Sequence, residues 1–119
     1  MIVDSSAIIA ILRAEPEAYS CSLALENAPI RRISAVNFVE AAIVIDSSRD
    51  PVISRRFDEL VSRADLVVEP VTLAQARIAR ETYRDFGDCF AYALAKSSGE
   101  PLLFKGNDFA QTDITVAQK

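Results

Sequence analysis

Short strand-like segments alternate with longer helical ones along the whole chain, and this alternation is what most restricts the fold. Strands separated by helices pack as a parallel sheet covered on both faces. The strand segments are Met1–Val3, Arg31–Ile33, Leu66–Val68 and Leu102–Phe104, with a closing edge strand over Ile114–Val116. After Asp4, the serines Ser5 and Ser6 cap a helix with Ile8, Ile11 and Leu12 on one face. A second helix runs from Pro16 to Glu26 and buries Ala18, Cys21 and Leu25. Ser34 caps the next, Ala35 to about Ser47, which Val36, Phe38, Val39, Ala42, Ile43 and Ile45 nearly encircle. Pro51 begins a helix with the stripe Ile53, Phe57, Leu60, Val61 and Ala64, and Thr72 with Gln75 forms a capping box for a helix from Leu73 to about Arg84. The last helix opens at Asp88 and is stopped by Gly99 and Pro101. The expectation is one α/β domain over residues 1–119.

The absence of histidine is the strongest chemical restriction. It excludes Ser-His-Asp and Cys-His hydrolysis, histidine general bases and most zinc or copper sites. Cys21 and Cys89 fall in apolar helical patterns without CxxC spacing, which suggests neither a disulfide nor a zinc site. A net charge of −4 argues against a broad basic surface for duplex DNA, but a bound divalent cation reverses the sign locally at an acidic pocket. No apolar run approaches the ~20 residues that span a bilayer. MIVDSS carries no signal segment, so the expected location is the cytoplasm.

Four acids fall where such a fold gathers ligands, beyond the carboxyl ends of its strands. Asp4 follows the first strand and Asp108 the strand after Gly99, while Asp88 opens a helix at the same edge. A helix of roughly eleven residues at about 1.5 Å each is matched by the returning strand, which brings Asp108 back beside Asp88. Glu40 interrupts the apolar helix that follows the second strand, and a bare buried carboxylate there is too costly to stand alone. Singly, each has a plain role: Glu40 on an exposed helix edge, Asp88 as an N-cap, the strand-end aspartates as turn formers. Gathered in one pocket, they repel each other unless a cation is present. Oxygen ligands without His or Cys select Mg²⁺ or Mn²⁺, and such ions suit hydrolysis of a nucleic-acid backbone. Ser6 stands ready to orient an acid or a water, or simply to cap its helix. Lys105 and Arg84 are candidates for phosphate contact, with solvated surface charge as the plain alternative.

Three stretches, MIVDSSAIIAIL, SAVNFVEAAIV and GDCFAYALAKSSGEPLLFKGNDF, resemble the PIN-domain ribonucleases, specifically the VapC-type toxins of bacterial toxin–antitoxin pairs. The resemblance implies a three-layer α/β/α fold with a mainly parallel sheet and a Mg²⁺- or Mn²⁺-dependent endoribonuclease. It assigns Asp4, Glu40 and Asp88 as core acids, Asp108 as the fourth acid and Ser6 as the hydroxyl of the first motif, with Asp113 outside the metal-binding set. It also implies a homodimer and a VapB-type antitoxin whose C-terminal segment lies over the active-site groove. The rival from another class is a catalytically silent module or a receiver-like domain that binds Mg²⁺ for phosphoryl transfer.

Two further expectations concern surfaces. The stripe from Ile53 to Ala64, with the second helix, offers more apolar area than a small sheet covers, which points to a twofold dimer. The relatives implied by the resemblance carry a longer basic, Gly- and Pro-containing loop before the third acid, whereas here Tyr83 is joined to Asp88 by only Arg84, Asp85, Phe86 and Gly87. A connection this short is expected to mark a break within Tyr83–Asp88, where neighbouring Cα atoms stand farther apart than the ~3.8 Å of a trans peptide.

Overall fold

The computed structural model describes residues 1–83, 86–106 and 113–117, with the side chain of residue 86 excluded. Arg84 and Asp108 therefore lie outside the described residues, as does the junction on which a chain break was expected. Among the described residues the order is β1 (Ile2–Val3), α1 (Ser5–Leu12), α2 (Ala18–Asn27), β2 (Arg32–Ser34), α3 (Ala35–Asp46), α4 (Pro51–Arg63), β3 (Val67–Glu69), α5 (Leu73–Glu81), α6 (Phe86–Ser98) and β4 (Leu102–Leu103).

The four strands are all parallel, in the order β3-β2-β1-β4. Ile2 stands opposite Arg32 on one side and Leu102 on the other, and Ile33 opposite Val68. The third neighbour expected at the edge is a single bridge: Val116 pairs with Leu102, whose N–H donates to the Thr115 carbonyl at 2.8 Å. Chain order therefore reverses at β1. The chain steps from β1 to β2 to β3, then returns past β1 to place β4 on its far side. That switch point leaves a crevice beyond the carboxyl end of β1, where Asp4 sits.

Successive strand residues face opposite layers, and β1 and β4 are buried on both sides, whereas the edge strand β3 leaves Val67 and Val68 exposed. Val3, Ile33 and Leu103 join Ile8, Leu12, Cys21, Leu25, Ala41, Ile45 and Phe57 in the core beneath α1–α4. Ile2, Leu102 and Phe104 pack instead with Ala91, Leu94 and Ala95 of α6. A smaller cluster, Ala79, Cys89 and Ala93, joins α5 to α6. The result is the expected three-layer α/β/α arrangement. Each fully buried Ile, Leu or Val contributes about 1.5–3 kcal/mol.

The helix boundaries follow local chemistry, with several corrections. Ser34 and Thr72 cap α3 and α5 as expected, accepting from the N–H groups of Val36 (3.4 Å) and Gln75 (3.2 Å). The cap of α1 is Asp4 rather than a serine, because its carboxylate reaches the Ser6 N–H at 3.0 Å. Asp50 caps α4 in the same way, and α2 begins at Ala18 without a side-chain cap. The helix α5 ends at Glu81, earlier than Arg84. Asp88 does not open α6; it lies in the first turn of a helix that begins at Phe86, still within reach of the helix dipole. Gly99, at φ +69°, ends α6 in the left-handed conformation that glycine adopts without cost.

The stripe on α4 is not a free surface. Phe57 is buried, and Ile53, Leu60 and Val61 pack against the core under α1–α4, so the α4 part of the ground for a dimer falls away, while the second helix does expose Tyr19 and Leu23. The exposed apolar side chains lie elsewhere and include Val39 and Ile43 on α3. Glu100 joins the β1 end of the sheet to β2, accepting from the Met1 ammonium at 2.7 Å and lying 3.5 Å from Arg32. Burial alone would raise the Glu100 carboxyl, but the Met1 hydrogen bond and the two cations hold it below its ordinary value.

Candidate active site

The crevice at the β1 switch point is built by three elements. β1 delivers Asp4, only 2 % exposed, into the cap of α1. The turn after Ser34 starts α3, which carries Glu40 five residues into the helix. The first turn of α6 carries Asp88. Contacts between their immediate neighbours join these elements. Ser5, next to Asp4, donates its hydroxyl proton to Glu40 Oε1. Gly87, next to Asp88, lies so close to the Glu40 carboxylate that an added Cβ would stand 2.5 Å from its Cδ. Asp4 and Asp88 are thus each one residue, about 3.8 Å of Cα trace, from a direct contact with Glu40.

Ser6 serves differently from Ser5. Its Oγ accepts the Lys105 N–H at 2.9 Å, while the Asp4 N–H donates to the Leu103 carbonyl at 2.9 Å. These two bonds tie the end of β4 to the start of α1, so the segment leading to Asp108 leaves from beside the first motif. Lys105, a candidate for phosphate contact, is paired with acids of the α1–α2 connection in this arrangement. Its ammonium lies 2.7 Å from Glu15 and 3.9 Å from Glu17, and the Glu15 hydrogen bond holds it above the usual lysine range. Asp113 is likewise engaged, accepting from the Tyr92 hydroxyl at 2.7 Å and from Lys96, whose hydrogen bond lowers its carboxyl.

Among the described residues no ready-made cluster of three or more possible metal-ligand side chains occurs. The donor set nevertheless fits a hard cation. Asp4, Glu40 and Asp88 are carboxylates, both cysteines are buried in apolar clusters, and the chain has no histidine. Three residues of this crevice escape a reading by residue type: Ser5, Gly87 and Asn37. Asn37 is fully buried, and its Nδ2 donates to the Gly87 carbonyl at 3.0 Å. A lone asparagine three residues before a lone glutamate on an apolar helix is the signal that was present.

Beside Glu40 the outer face of α3 forms an apolar groove of about 620 Å³, lined by Ala35, Val36, Val39, Glu40, Ile43 and Val44.

The PIN-domain family model matches residues 1–114. Among curated relatives, Ribonuclease VapC28 of Mycobacterium tuberculosis is 55% identical over 129 aligned positions, covering 98% of this chain and 97% of the relative. This chain belongs to the PIN-domain family, in its VapC group. A second relative, Ribonuclease VapC of Mycolicibacterium smegmatis, is 41% identical, with 98% of each chain covered. Solved PIN-domain structures share the fold at lower identity. M. tuberculosis VapC20, described as a Sarcin-Ricin loop cleaving toxin, superposes with a TM-score of 0.81 at 16% identity, covering 99% of this chain and 98% of that one. A toxin–antitoxin complex from Klebsiella pneumoniae gives 0.75 at 17%, covering 97% and 94%. The VapC28 alignment has 129 positions against 119 residues here, so at least ten positions of that relative have no counterpart in this PIN domain.

Proposed function

We propose that this PIN domain is a Mg²⁺- or Mn²⁺-dependent endoribonuclease, the toxin of a toxin–antitoxin pair, with Asp4, Glu40, Asp88 and Asp108 as the metal-binding carboxylates. The observation that carries the reading is the Glu40 carboxylate, held at the β1 switch point between the residue after Asp4 and the residue before Asp88. The names of the relatives support the ribonuclease activity. The receiver-like or silent alternative finds no support in them.

Asp4, Glu40 and Asp88 offer oxygen donors from three separate elements, and Asp108 follows a strand end tied to Ser6. These residues would hold a divalent cation, and the chemistry it would supply is a lowered pKa for a bound water and stabilisation of charge on the leaving oxygen. The chain's own groups orient that chemistry. Ser5 fixes one oxygen of Glu40, the Asp4 cap fixes the start of α1, and Ser6 positions the backbone on the way to Asp108. Lys105 is paired to Glu15 and Glu17, and a cation at the acidic pocket would add a local positive charge that attracts the RNA backbone.

Single-stranded RNAs of varied sequence, incubated with the protein in Mg²⁺ or Mn²⁺, should be cut internally, and a chelator should stop the reaction. No metal-dependent product across the panel would remove the nuclease reading.

The homodimer and the VapB-type antitoxin are part of the same proposal. The solved toxin–antitoxin neighbour supports the antitoxin as a partner. An arginine from it would offset the carboxylate charge. With the α4 stripe packed inward, we assign the second copy to the face of α3 that exposes Val39 and Ile43 along an apolar groove. The purified protein is expected to have twice its chain mass by light scattering at micromolar concentration, and Ile43→Lys should halve it. A wild-type monomer would overturn the dimer.

A further inference from the structure

Glu40 is gripped from two sides, and neither grip is a carboxylate of the metal set. From α1, the Ser5 hydroxyl bonds Oε1. From α6, Gly87 presents bare backbone: an added Cβ would overlap Oε2 and stand 2.5 Å from Oε1, where real Cβ atoms keep at least 3.0 Å. Glycine is a poor helix former, and Gly87 lies inside α6 with no left-handed φ to explain it. Space, not backbone freedom, is what a glycine supplies there.

One turn before Glu40, and so on the same face of α3, Asn37 completes the arrangement. Its Nδ2 bond to the Gly87 carbonyl fixes the amide orientation, because the reverse flip would set oxygen against oxygen. The other end, Oδ1, is buried without a hydrogen-bond partner among the described residues. A buried amide that leaves one end unsatisfied in order to hold a helix terminus has been placed for position rather than for stability.

We propose that Asn37 and Gly87 are a positioning pair that sets the separation of Glu40 and Asp88. Asn37 clamps the first turn of α6 onto α3, and Gly87 lets the Glu40 carboxylate lie against that turn beside Asp88. The proposal rests on the reading of these acids as metal ligands.

Mn²⁺ binding to the intact protein, measured by titration calorimetry, tests it, with thermal unfolding in chelator as the control for folding. Asn37→Ala and Gly87→Ala should each weaken Mn²⁺ binding about tenfold or more while the chelated proteins still unfold cooperatively. The sharper readout is a double-mutant cycle. Glu40→Asp alone should weaken binding. In the Gly87→Ala background it should cost little or restore affinity, because the shorter side chain withdraws from the new methyl group. If Asn37→Ala fails to fold, the cycle decides the part of Gly87, and Asn37→Asp, of the same size but without the Nδ2 donor, decides that of Asn37 by the same loss of Mn²⁺ affinity. Wild-type binding with unchanged affinity in Gly87→Ala, or an equal Glu40→Asp loss in both backgrounds, would overturn the positioning role and leave the metal site standing. A wild-type protein that binds no Mn²⁺ would overturn both.

Discussion

Asp4→Asn and Asp88→Asn are each expected to lower metal-dependent RNA cleavage by about a hundredfold or more, since a metal ligand supports several kcal/mol of charge stabilisation in the transition state. Both proteins should remain folded. Asparagine caps helices as well as aspartate does, so the carbonyl of Asn at position 4 can still accept the Ser6 N–H that now bonds Asp4 at 3.0 Å. Asp88 lies in the first turn of α6, where losing its charge costs about 0.3–1 kcal/mol of dipole interaction. Against that loss stands relief of repulsion among the carboxylates, so without metal the variants should unfold at or above the wild-type temperature. Metal should separate them. A cation at a hundred times its Kd stabilises the wild type by about 2.7 kcal/mol, and this increment should vanish in both variants. Wild-type cleavage by both would remove Asp4 and Asp88 from the mechanism. Unfolding of Asp4→Asn in chelator would instead show that the carboxylate is needed for the fold.

The parts of this protein that were legible in the sequence are those set by local chemistry. Ser34 and Thr72 cap the helices they precede, Gly99 ends α6, and the short strands form a parallel sheet with Asp4 at the carboxyl end of the first. Residues whose role depends on a distant partner were not legible. Hydrophobicity buries Val39 and Ile43 and exposes Asn37, but the structure does the opposite: Val39 is 52% and Ile43 62% exposed, while Asn37 is fully buried. The reason is tertiary, since the face of α3 that carries Asn37 and Glu40 meets α6 fifty residues later in the chain. Ser5 and Ser6 are equivalent by type, and only the packing of α3 and β4 assigns one to Glu40 and the other to Lys105. The pairing of Lys105 with Glu15 was not legible because ninety residues separate the two in sequence.

Phe57→Ala is expected to cost about 3–5 kcal/mol, a large share of the roughly 5–15 kcal/mol that holds a domain of this size folded. Phe57 is the residue α4 buries, at 4% exposure, and its ring lies 5.6 Å from that of Phe38 on α3 at 46°. Truncation removes both the buried area and the aromatic pair, and the surrounding Ile53, Leu60 and Val61 are too firmly placed on helices to fill the gap. Phe57→Leu keeps most of the volume and should cost distinctly less. Val52→Ala, one turn away on the exposed face, should stay within about 0.5 kcal/mol. Urea unfolding with equal slopes would measure all three. A loss below about 1 kcal/mol for Phe57→Ala would mean that α4 is not part of the core. Its apolar stripe would then be free for a partner after all. The expected large loss fixes the opposite assignment: α4 braces α3 from the outside, and the helix so braced is the one that presents Asn37 and Glu40 to α6.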